Sequence, residues 1–215
     1  TPLYSSAASD VYKRQMHDME DMRSGRWYLA GEEAATRHAE VRRLLADFNT
    51  LANTDPERSQ ALLRELFPTG EVPDIWPPLH LEFGVNTRFG PGCYMNFNCT
   101  ILDIAQVTVG PRSLFGPGCQ LITVEHPVAD HAMRAQGWER ARPITIGEDC
   151  WFGAGCIVLP GVTVGDRCVI AAGSVVTGDI PADSLAAGVP AQVKRSLIGA
   201  PLERDEVGDE VARRE

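Results

Sequence analysis

The chain has 215 residues, of which 44% are hydrophobic and 23% charged, a profile typical of one soluble globular domain with a sizeable core. The formal net charge of −9 argues against nucleic acids and anionic membranes as partners, since both attract basic surfaces. No run of about 18 apolar residues exists to span a bilayer, and the first residues lack the order of a secretory signal. The sequence therefore predicts a cytoplasmic protein with no nucleic-acid or membrane partner.

The two ends of the chain differ from its middle. Residues 1–15 carry no pattern that continues into the rest. We therefore expect residues 1–21 to be a disordered or foreign leader, with Met16 or Met22 as alternative starts. Residues 201–215 hold six acidic residues and three arginines but almost nothing to bury. We expect residues 199–215 to form a disordered acidic tail.

Helical spacing follows the leader. Four apolar residues fall on one helical face: Val41, Leu44, Leu45 and Phe48. A second helix is expected after Asp55, an N-cap residue followed by a proline, with the same spacing at Leu62, Leu63, Leu66 and Phe67. The sequence thus predicts a helical segment over residues 22–72, joined to the rest by the proline-rich stretch VPDIWPP.

A period of six dominates the rest of the chain. Thirteen six-residue units begin with a large apolar residue: Phe83, Phe89, Met95, Ile101, Val109, Phe115, Leu121, Ile146, Phe152, Val158, Val164, Ile170 and Val176. The second position is often glycine, which suits a turn, and the fifth is small in nearly every unit. One large and one small inward site per six residues predict a triangular solenoid with three units per coil. The predicted fold class is mainly β, a left-handed parallel β-helix of hexapeptide repeats over residues 73–198.

The period is interrupted twice. It slips by two residues after Ile101, and it stops at His126 and resumes only at Ile146. The gap leaves residues 127–145 as a 19-residue loop. A connection of that length is usually functional.

All six cysteines occupy the fifth position of a unit: Cys93, Cys99, Cys119, Cys150, Cys156 and Cys168. Serine, alanine and threonine fill the same position in sister units, so we interpret the cysteines as small buried residues with reduced thiols. Their spacing of six differs from the C-x2-C pairs of zinc sites. No metal is predicted.

His126 is the histidine whose position indicates chemistry. It ends a regular coil, opens the long loop, and is followed by Pro127, which stiffens the exit. From the residues alone, an ordinary corner histidine is an equally good interpretation. A solenoid is a scaffold, so function has to be inferred from a site on it.

Several stretches together resemble one enzyme family. The tandem hexads, EHPVAD at the loop entrance, YMNFNCTILD upstream and GVPAQVKRSL near the end are similar to the sugar O-acetyltransferases, which include galactoside, maltose and nodulation-factor acetyltransferases. The helical stretch SGRWYLAGEEAATRHAEVRRLLADFN resembles their N-terminal maltose-acetyltransferase segment. The resemblance covers about residues 22–197.

The resemblance implies direct acetyl transfer from acetyl-CoA to a sugar hydroxyl in a homotrimer, with each site between two subunits. His126 would be the general base, because an imidazole titrates in the useful range. The matching positions put Tyr94, Asn96 and Glu82 in the acceptor pocket. Those around coenzyme A are Trp151, Ala154, Ala172, Thr177 and Arg195.

The chain departs from the family pattern at five positions. Ala154 replaces a serine of some relatives, so backbone N–H groups would have to assist the thioester oxygen. Gly178 and Gln192 replace basic residues, which should weaken the hold on coenzyme A phosphates. Ile104 and Ala30 replace two acids that bind galactosides in the galactoside enzyme, which argues against strict galactoside specificity.

Three alternatives stay open at this point. A zinc enzyme of the β-helical carbonic anhydrase type would use His126 and His131, but the in-phase positions one and two coils before His126 hold Gln106 and Arg88. A non-catalytic solenoid scaffold would explain the changes at the coenzyme A positions. An acetyltransferase for serine or an antibiotic alcohol would share the donor chemistry and differ in the acceptor.

Overall fold

The computed structural model describes residues 18–201 of the chain. Most of the expected leader and of the expected acidic tail lies outside the described residues. The expectation is wrong for residues 18–21, which begin helix α1 (Asp18–Arg23). Met19 and Met22 lie on one side of this helix and are 7% and 2% exposed. Their burial explains why the helix belongs to the folded domain.

The two longer helices predicted from apolar spacing are confirmed as α2 (Glu32–Leu51) and α3 (Pro56–Leu66). Helix α3 begins where the sequence indicates, because the Asp55 side chain accepts a hydrogen bond of 3.0 Å from the N–H of Arg58. The apolar faces of both helices are buried against the first coils of the solenoid, where the rings of Phe67 and Phe89 meet edge to face at 5.4 Å.

Short parallel strands build the three faces of a left-handed parallel β-helix, as predicted. Face 1 contains β1 (Asp74–Ile75), β4 (Tyr94–Met95), β7 (Leu114–Phe115), β12 (Trp151–Phe152), β15 (Val169–Ile170) and β17 (Ser184–Gly188). Face 2 contains β2 (Leu79–Leu81), β5 (Cys99–Leu102), β8 (Gln120–Ile122), β13 (Ile157–Val158) and β16 (Val175–Val176). Face 3 contains β3 (Thr87–Phe89), β6 (Val107–Val109), β11 (Ile144–Ile146) and β14 (Thr163–Val164). Strand β18 (Ala191–Ser196) closes the last coil by pairing antiparallel with β17.

The leading apolar residues stack along the axis, one per coil, because each pairs in register with the equivalent residue of the next coil. On face 1 the stack contains Ile75, Met95, Phe115, Phe152, Ile170 and Ala186. Each of these is at most 6% exposed, and the rings of Phe115 and Phe152 stack at 4.8 Å. The fold therefore rests on a continuous column of apolar contacts.

One predicted leading position is wrong. On face 2 the residue in register with Ile101 and Leu121 is Leu81, not Phe83. Phe83 comes two residues later, at the corner, and is buried in a separate cluster with Tyr28. The two-residue slip that the sequence shows after Ile101 thus occurs one coil earlier as well.

These additional residues all lie at one edge of the prism. We call the edge between faces 1 and 2 the first corner, and the edge between faces 2 and 3 the second corner. Residues 82–86, residues 102–106 and the long loop all leave from the end of a face 2 strand. The second corner is therefore the irregular one, and the cluster of Phe83 and Tyr28 packs against it.

The long loop is ordered by three short elements. Strands β9 (Val124–Glu125) and β10 (Arg140–Ala141) pair antiparallel at its base. Between them lies the five-residue helix α4 (His131–Ala135), which Asp130 caps by accepting hydrogen bonds from two backbone N–H groups. Tyr28 forms an isolated antiparallel bridge with Glu139 and ties the loop to the N-terminal segment.

All six cysteines are buried and unpaired, as the sequence predicts. Each lies at a corner except Cys99, which begins strand β5 directly after one. The thiols contact backbone carbonyls of the next coil at 3.1–3.5 Å. None of the helices between residues 18 and 201 combines the length and the apolar character needed to cross a membrane.

Candidate active site

His126 lies at the second corner with its imidazole half exposed to solvent. Its Nδ1 is 2.9 Å from the carbonyl oxygen of Trp138. A carbonyl only accepts hydrogen bonds, so Nδ1 must carry the proton and donate it. In the neutral ring, Nε2 is then left with a free lone pair that can accept a proton.

Glu139 lies beside that free nitrogen. Its Oε1 is 3.6 Å from His126 Nε2, and its Oε2 accepts a hydrogen bond of 2.8 Å from the Tyr28 hydroxyl. Burial, reinforced by the nearby Glu139, raises the pKa of Tyr28 well above its usual value. The phenol therefore stays protonated and holds the carboxylate in place. The arrangement can stabilise a positive charge that forms on the imidazole.

Glu82 also lies at the second corner, at the end of β2, with 27% of its side chain exposed. Its Oε1 is 3.7 Å from Nδ1 of His38 on α2. It is close enough to Tyr28 to contribute to the raised pKa of that phenol, after burial and Glu139. Glu82 and His126 thus share one corner.

Asn96 lies at the first corner instead, and Tyr94 lies on face 1, two residues before it. Tyr94 is part of β4, and burial together with the neighbouring Asp74 raises the pKa of its phenol. Asn96 follows β4, and its Oδ1 accepts a hydrogen bond of 2.8 Å from the N–H of Phe97. The Nδ2 of Asn96 has no hydrogen-bond partner among residues 18–201, so both its N–H groups are free to donate to a ligand.

Three of the residues expected around coenzyme A form a strip along face 1 and the same corner. Trp151 points out of face 1 and is 54% exposed. Ala154 and Ala172 lie in turns of successive coils, where Gly173 donates a hydrogen bond of 2.8 Å to the Ala154 carbonyl. Within the described range, neither alanine's backbone N–H donates a hydrogen bond. These two amides are therefore available donors beside an exposed indole.

The remaining coenzyme A positions lie further from this strip. Thr177 is exposed at the end of β16, at the second corner, on the same face as the strand that leads to His126. Arg195 is exposed on β18 opposite Leu185, and it forms no ion pair with any residue that the structure describes. Gly178 and Gln192, which replace basic residues of relatives, are both exposed.

The structure does not bring these two groups together within one chain. His126 and Glu82 follow the strands of face 2, whereas Asn96 precedes them. Strand β5, the longest of face 2, has four residues and spans roughly 13 Å, and the corner residues at its two ends add to that distance. One acceptor hydroxyl therefore cannot contact His126 and Asn96 of the same subunit.

Sequence reasoning missed Glu139, Tyr28 and Trp138. Glu139 and Trp138 lie in the long loop, where no period assigns a residue to a place. Tyr28 lies within the predicted helical segment, but in the structure it falls in the non-helical stretch between α1 and α2. The only available signal was the length of the loop itself, which indicates function without naming residues.

The described residues contain no group of three or more histidine, cysteine or acidic side chains arranged to hold a metal ion. His131, the second histidine considered for a zinc site, begins α4 and is exposed. The arrangement around His126 is that of a base beside a carboxylate, on a β-helix with free amides along a neighbouring edge.

Comparison with known proteins assigns the family. A model of the hexapeptide repeat of succinyl-transferase matches residues 143–178, and one of the maltose acetyltransferase hexapeptide capping motif matches residues 21–70. Over 155 residues the chain is 41% identical to the galactoside O-acetyltransferase of Escherichia coli K12, which covers 72% of this chain and 76% of that protein.

Two solved structures are similar over nearly their whole length. A maltose O-acetyltransferase from Clostridium difficile 630 superposes with a TM-score of 0.81 at 33% identity, covering 85% of this chain and 98% of that one. A hexapeptide-repeat acetyltransferase from Vibrio cholerae, solved with acetyl coenzyme A, gives 0.78 at 36% identity, covering 85% and 99%. The chain belongs to the hexapeptide-repeat acetyltransferase family that includes the galactoside and maltose O-acetyltransferases. It is an acyltransferase.

Proposed function

We propose that the protein transfers the acetyl group of acetyl-CoA directly to a sugar hydroxyl, with His126 as the general base. The observation that carries this proposal is the contact between His126 Nδ1 and the Trp138 carbonyl, because it leaves Nε2 as the proton acceptor. An alcohol is too weakly acidic to attack a thioester unaided at neutral pH.

In the proposed step, Nε2 takes the proton of the acceptor hydroxyl as the hydroxyl oxygen attacks the thioester carbonyl carbon. The carbon–sulfur bond of the resulting tetrahedral species then breaks, and the acetyl group stays on the acceptor oxygen. The leaving coenzyme A thiolate takes up the proton that the imidazole holds. His126 ends the cycle neutral, and no acyl-enzyme forms.

Two developing charges need stabilisation during this step. The imidazolium is stabilised by Glu139, 3.6 Å from Nε2. The oxyanion can accept a hydrogen bond from the free amide of Ala154, which carries no hydroxyl to assist. Asn96 would use its free Nδ2 to orient the acceptor. Coenzyme A would lie along Trp151, Ala172 and Thr177, with Arg195 near a phosphate.

We further propose that the enzyme is a homotrimer in which the first corner of one subunit meets the second corner of the next. This assembly is supported by the distance between His126 and Asn96 in one chain, because a single subunit offers only half of a site. The long loop, residues 127–145, would reach across the boundary. Glu82 and Tyr94 would then face one acceptor from two subunits.

The proposed organisation has residues 18–72 as the helical segment and residues 73–198 as the acetyltransferase domain. The proposed acceptor is a sugar, but galactosides need not be preferred. Ile104 and Ala30 cannot accept the hydrogen bonds that carboxylates would, and a site lacking such partners discriminates weakly. A cytoplasmic setting is supported by the buried, unpaired cysteines.

The test combines an acceptor panel with a base variant. Release of free coenzyme A thiol is followed with glucose, maltose, a β-galactoside, serine and an antibiotic alcohol as acceptors. His126→Ala should lower kcat by roughly 10²–10⁴-fold while acetyl-CoA binding stays nearly unchanged. His131→Ala, five residues away on the same loop, serves as the matched control and should have little effect.

Each outcome has a clear consequence. Preference for serine or the antibiotic would overturn the sugar acceptor and leave acetyl transfer standing. A His126→Ala variant with weakened acetyl-CoA binding and little loss of kcat would show that the histidine binds rather than catalyses.

A further inference from the structure

A cavity of about 350 Å³ lies between the N-terminal helices and the first coil. Its walls come from the α2–α3 connection, the first turns of α3, and β1 with the residues that follow it. Small-molecule sites usually have volumes of roughly 300–1,000 Å³. The cavity is therefore large enough for one small polar ligand.

The lining has the chemistry of a carbohydrate site. Trp76 lies at the wall of the cavity and is 54% exposed, which is unusual for the largest apolar side chain. A pyranose ring presents a face of C–H groups that packs on an aromatic ring, while its hydroxyls point outward at the edge. Three polar side chains line the cavity: the amides of Asn53 and Gln60 and the carboxylate of Asp74. Each of them can form hydrogen bonds with sugar hydroxyls.

These polar groups are not used by the protein itself. Within residues 18–201, the side chains of Asn53, Gln60 and Asp74 have no hydrogen-bond partner. Ser59 also lines the cavity. Only 8% of the residue is exposed, its hydroxyl has no hydrogen-bond partner in the described chain, and the hydroxyl oxygen is reached by solvent. Its hydroxyl can therefore form a hydrogen bond with a ligand in the cavity.

The cavity adjoins the residues proposed to bind the acceptor. Asp74 pairs in register with Tyr94, and the N–H of Trp76 donates a hydrogen bond of 2.9 Å to the Met95 carbonyl. Trp76 is therefore the residue one coil below Asn96, at about 4.8 Å along the solenoid axis. A sugar held at Asn96 has its next unit within reach of Trp76.

We propose that this cavity is a second acceptor subsite, which binds the sugar unit adjacent to the one that is acetylated. The inference rests on the proposed function, and it narrows the acceptor class to disaccharides or longer neutral saccharides. Trp76 stacks on the second ring, and Ser59, Asn53, Gln60 and Asp74 bind its hydroxyls.

The test compares glucose with maltose as acceptors in steady-state kinetics of the full-length enzyme. Wild type should have the lower KM for maltose. Trp76→Ala should raise the ratio of the maltose KM to the glucose KM about tenfold, equivalent to the loss of one good aromatic contact. Trp76→Phe keeps a ring and should restore most of the preference. Val189→Ala, an exposed apolar residue on the β17–β18 hairpin, is the control and should leave the ratio unchanged.

The possible outcomes distinguish a failure of the second subsite from a failure of the proposed sugar acceptor. Acetylation of both sugars with a KM ratio that Trp76→Ala does not change would overturn the subsite alone. A loss of kcat for both sugars in Trp76→Ala, not rescued by Trp76→Phe, would show a structural role and also overturn it. No transfer to either sugar by the wild-type enzyme would overturn the sugar acceptor, and the subsite with it.

Discussion

The Tyr28 hydroxyl donates a hydrogen bond of 2.8 Å to Glu139 Oε2. The backbones of the two residues also pair, because each N–H donates to the carbonyl oxygen of the other, at N···O distances of 2.8 and 3.0 Å. The N-terminal segment is thereby joined to the long loop, in which the residue before Glu139, Trp138, fixes the tautomer of His126. The capping segment thus contributes to the site as well as to the core.

Removing either side of this contact should slow the chemical step. Glu139→Gln replaces the carboxylate by a neutral amide, which stabilises an imidazolium less, so kcat should fall roughly 10- to 100-fold. Tyr28→Phe keeps the packing but frees Glu139 Oε2, and a smaller loss is expected. Steady-state kinetics should show an unchanged KM for acetyl-CoA in both variants.

The matched control is Glu65→Gln, which removes a carboxylate from an exposed ion pair with Arg58 at 3.7 Å. It should leave kcat unchanged. If Glu139→Gln retained full kcat, Glu139 would be a loop anchor with no part in the reaction.

A composite site predicts complementation between inactive variants. His126→Ala and Asn96→Ala should each be nearly inactive as pure trimers. When the two are unfolded together and reassembled in equal amounts, roughly a quarter of the interfaces should pair an intact His126 with an intact Asn96. Activity should therefore return in the mixture. If each site lay within one subunit, mixing would restore nothing.

Asp103 gives the protein a pH-dependent stability. Its carboxylate is fully buried at the second corner and accepts hydrogen bonds from the N–H groups of Phe83, Gly84 and Asn86 and from the Thr87 hydroxyl, at 2.8–3.2 Å. Burial nevertheless raises its pKa from 3.8 to about 6. The folded state therefore holds this proton more tightly than the unfolded state.

The sign follows from linkage. The stabilisation that comes from tighter proton binding by Asp103 in the folded state is fully present below about pH 4. It is lost as the pH rises through about 6, so the free energy of unfolding falls by an amount on the order of 3 kcal/mol. Urea unfolding of wild type at one protein concentration should show this fall relative to Asp103→Asn, which cannot titrate. The variant will be less stable at every pH, because an amide cannot accept all four hydrogen bonds. Parallel pH profiles of the two proteins would contradict the prediction.

The period of six predicts the parts of the fold that repeat. The period predicts one column of inward residues, because the same position of every coil points to the axis and holds a large apolar side chain. Met95, Phe115 and Phe152 belong to this column. Phe83 was misassigned because it happens to keep the phase while the chain has already slipped. When two extra residues separate the true leading position from an apolar residue that keeps the period of six, the sequence pattern does not show the insertion. Only the pairing of Leu81 with Ile101 reveals it.

The site was predictable only in part. His126 was found because it ends the repeat, and the roles suggested for Asn96 and Trp151 came from family resemblance. Glu139 is positioned by pairing with Tyr28, a contact across 111 residues that no local pattern encodes. The separation of Asn96 from His126 by the width of face 2 also depends on which strands share a face.

The corner thiols test the packing limit of the solenoid. Cys156 is 1% exposed, and its Sγ lies 3.2 Å from the Ala171 carbonyl and 3.6 Å from the Ile170 carbonyl of the next coil. Contact with Cys119 and burial raise the pKa of its thiol. Titration of native protein with a thiol reagent should therefore find no fast reaction at this residue.

Substitution at Cys156 should be limited by volume rather than by chemistry. Cys156→Ser should change the free energy of unfolding by about 1 kcal/mol or less, because Ser174 in the next coil already shows that a hydroxyl fits this corner. Cys156→Leu should lower it by about 1–3 kcal/mol or more, because adjacent coils are only about 4.8 Å apart and cannot move aside. Cys156→Ala separates lost sulfur contacts from added bulk and should resemble serine. Urea unfolding at fixed protein concentration measures all three, and a leucine variant as stable as the serine variant would mean that the corner is not tightly packed.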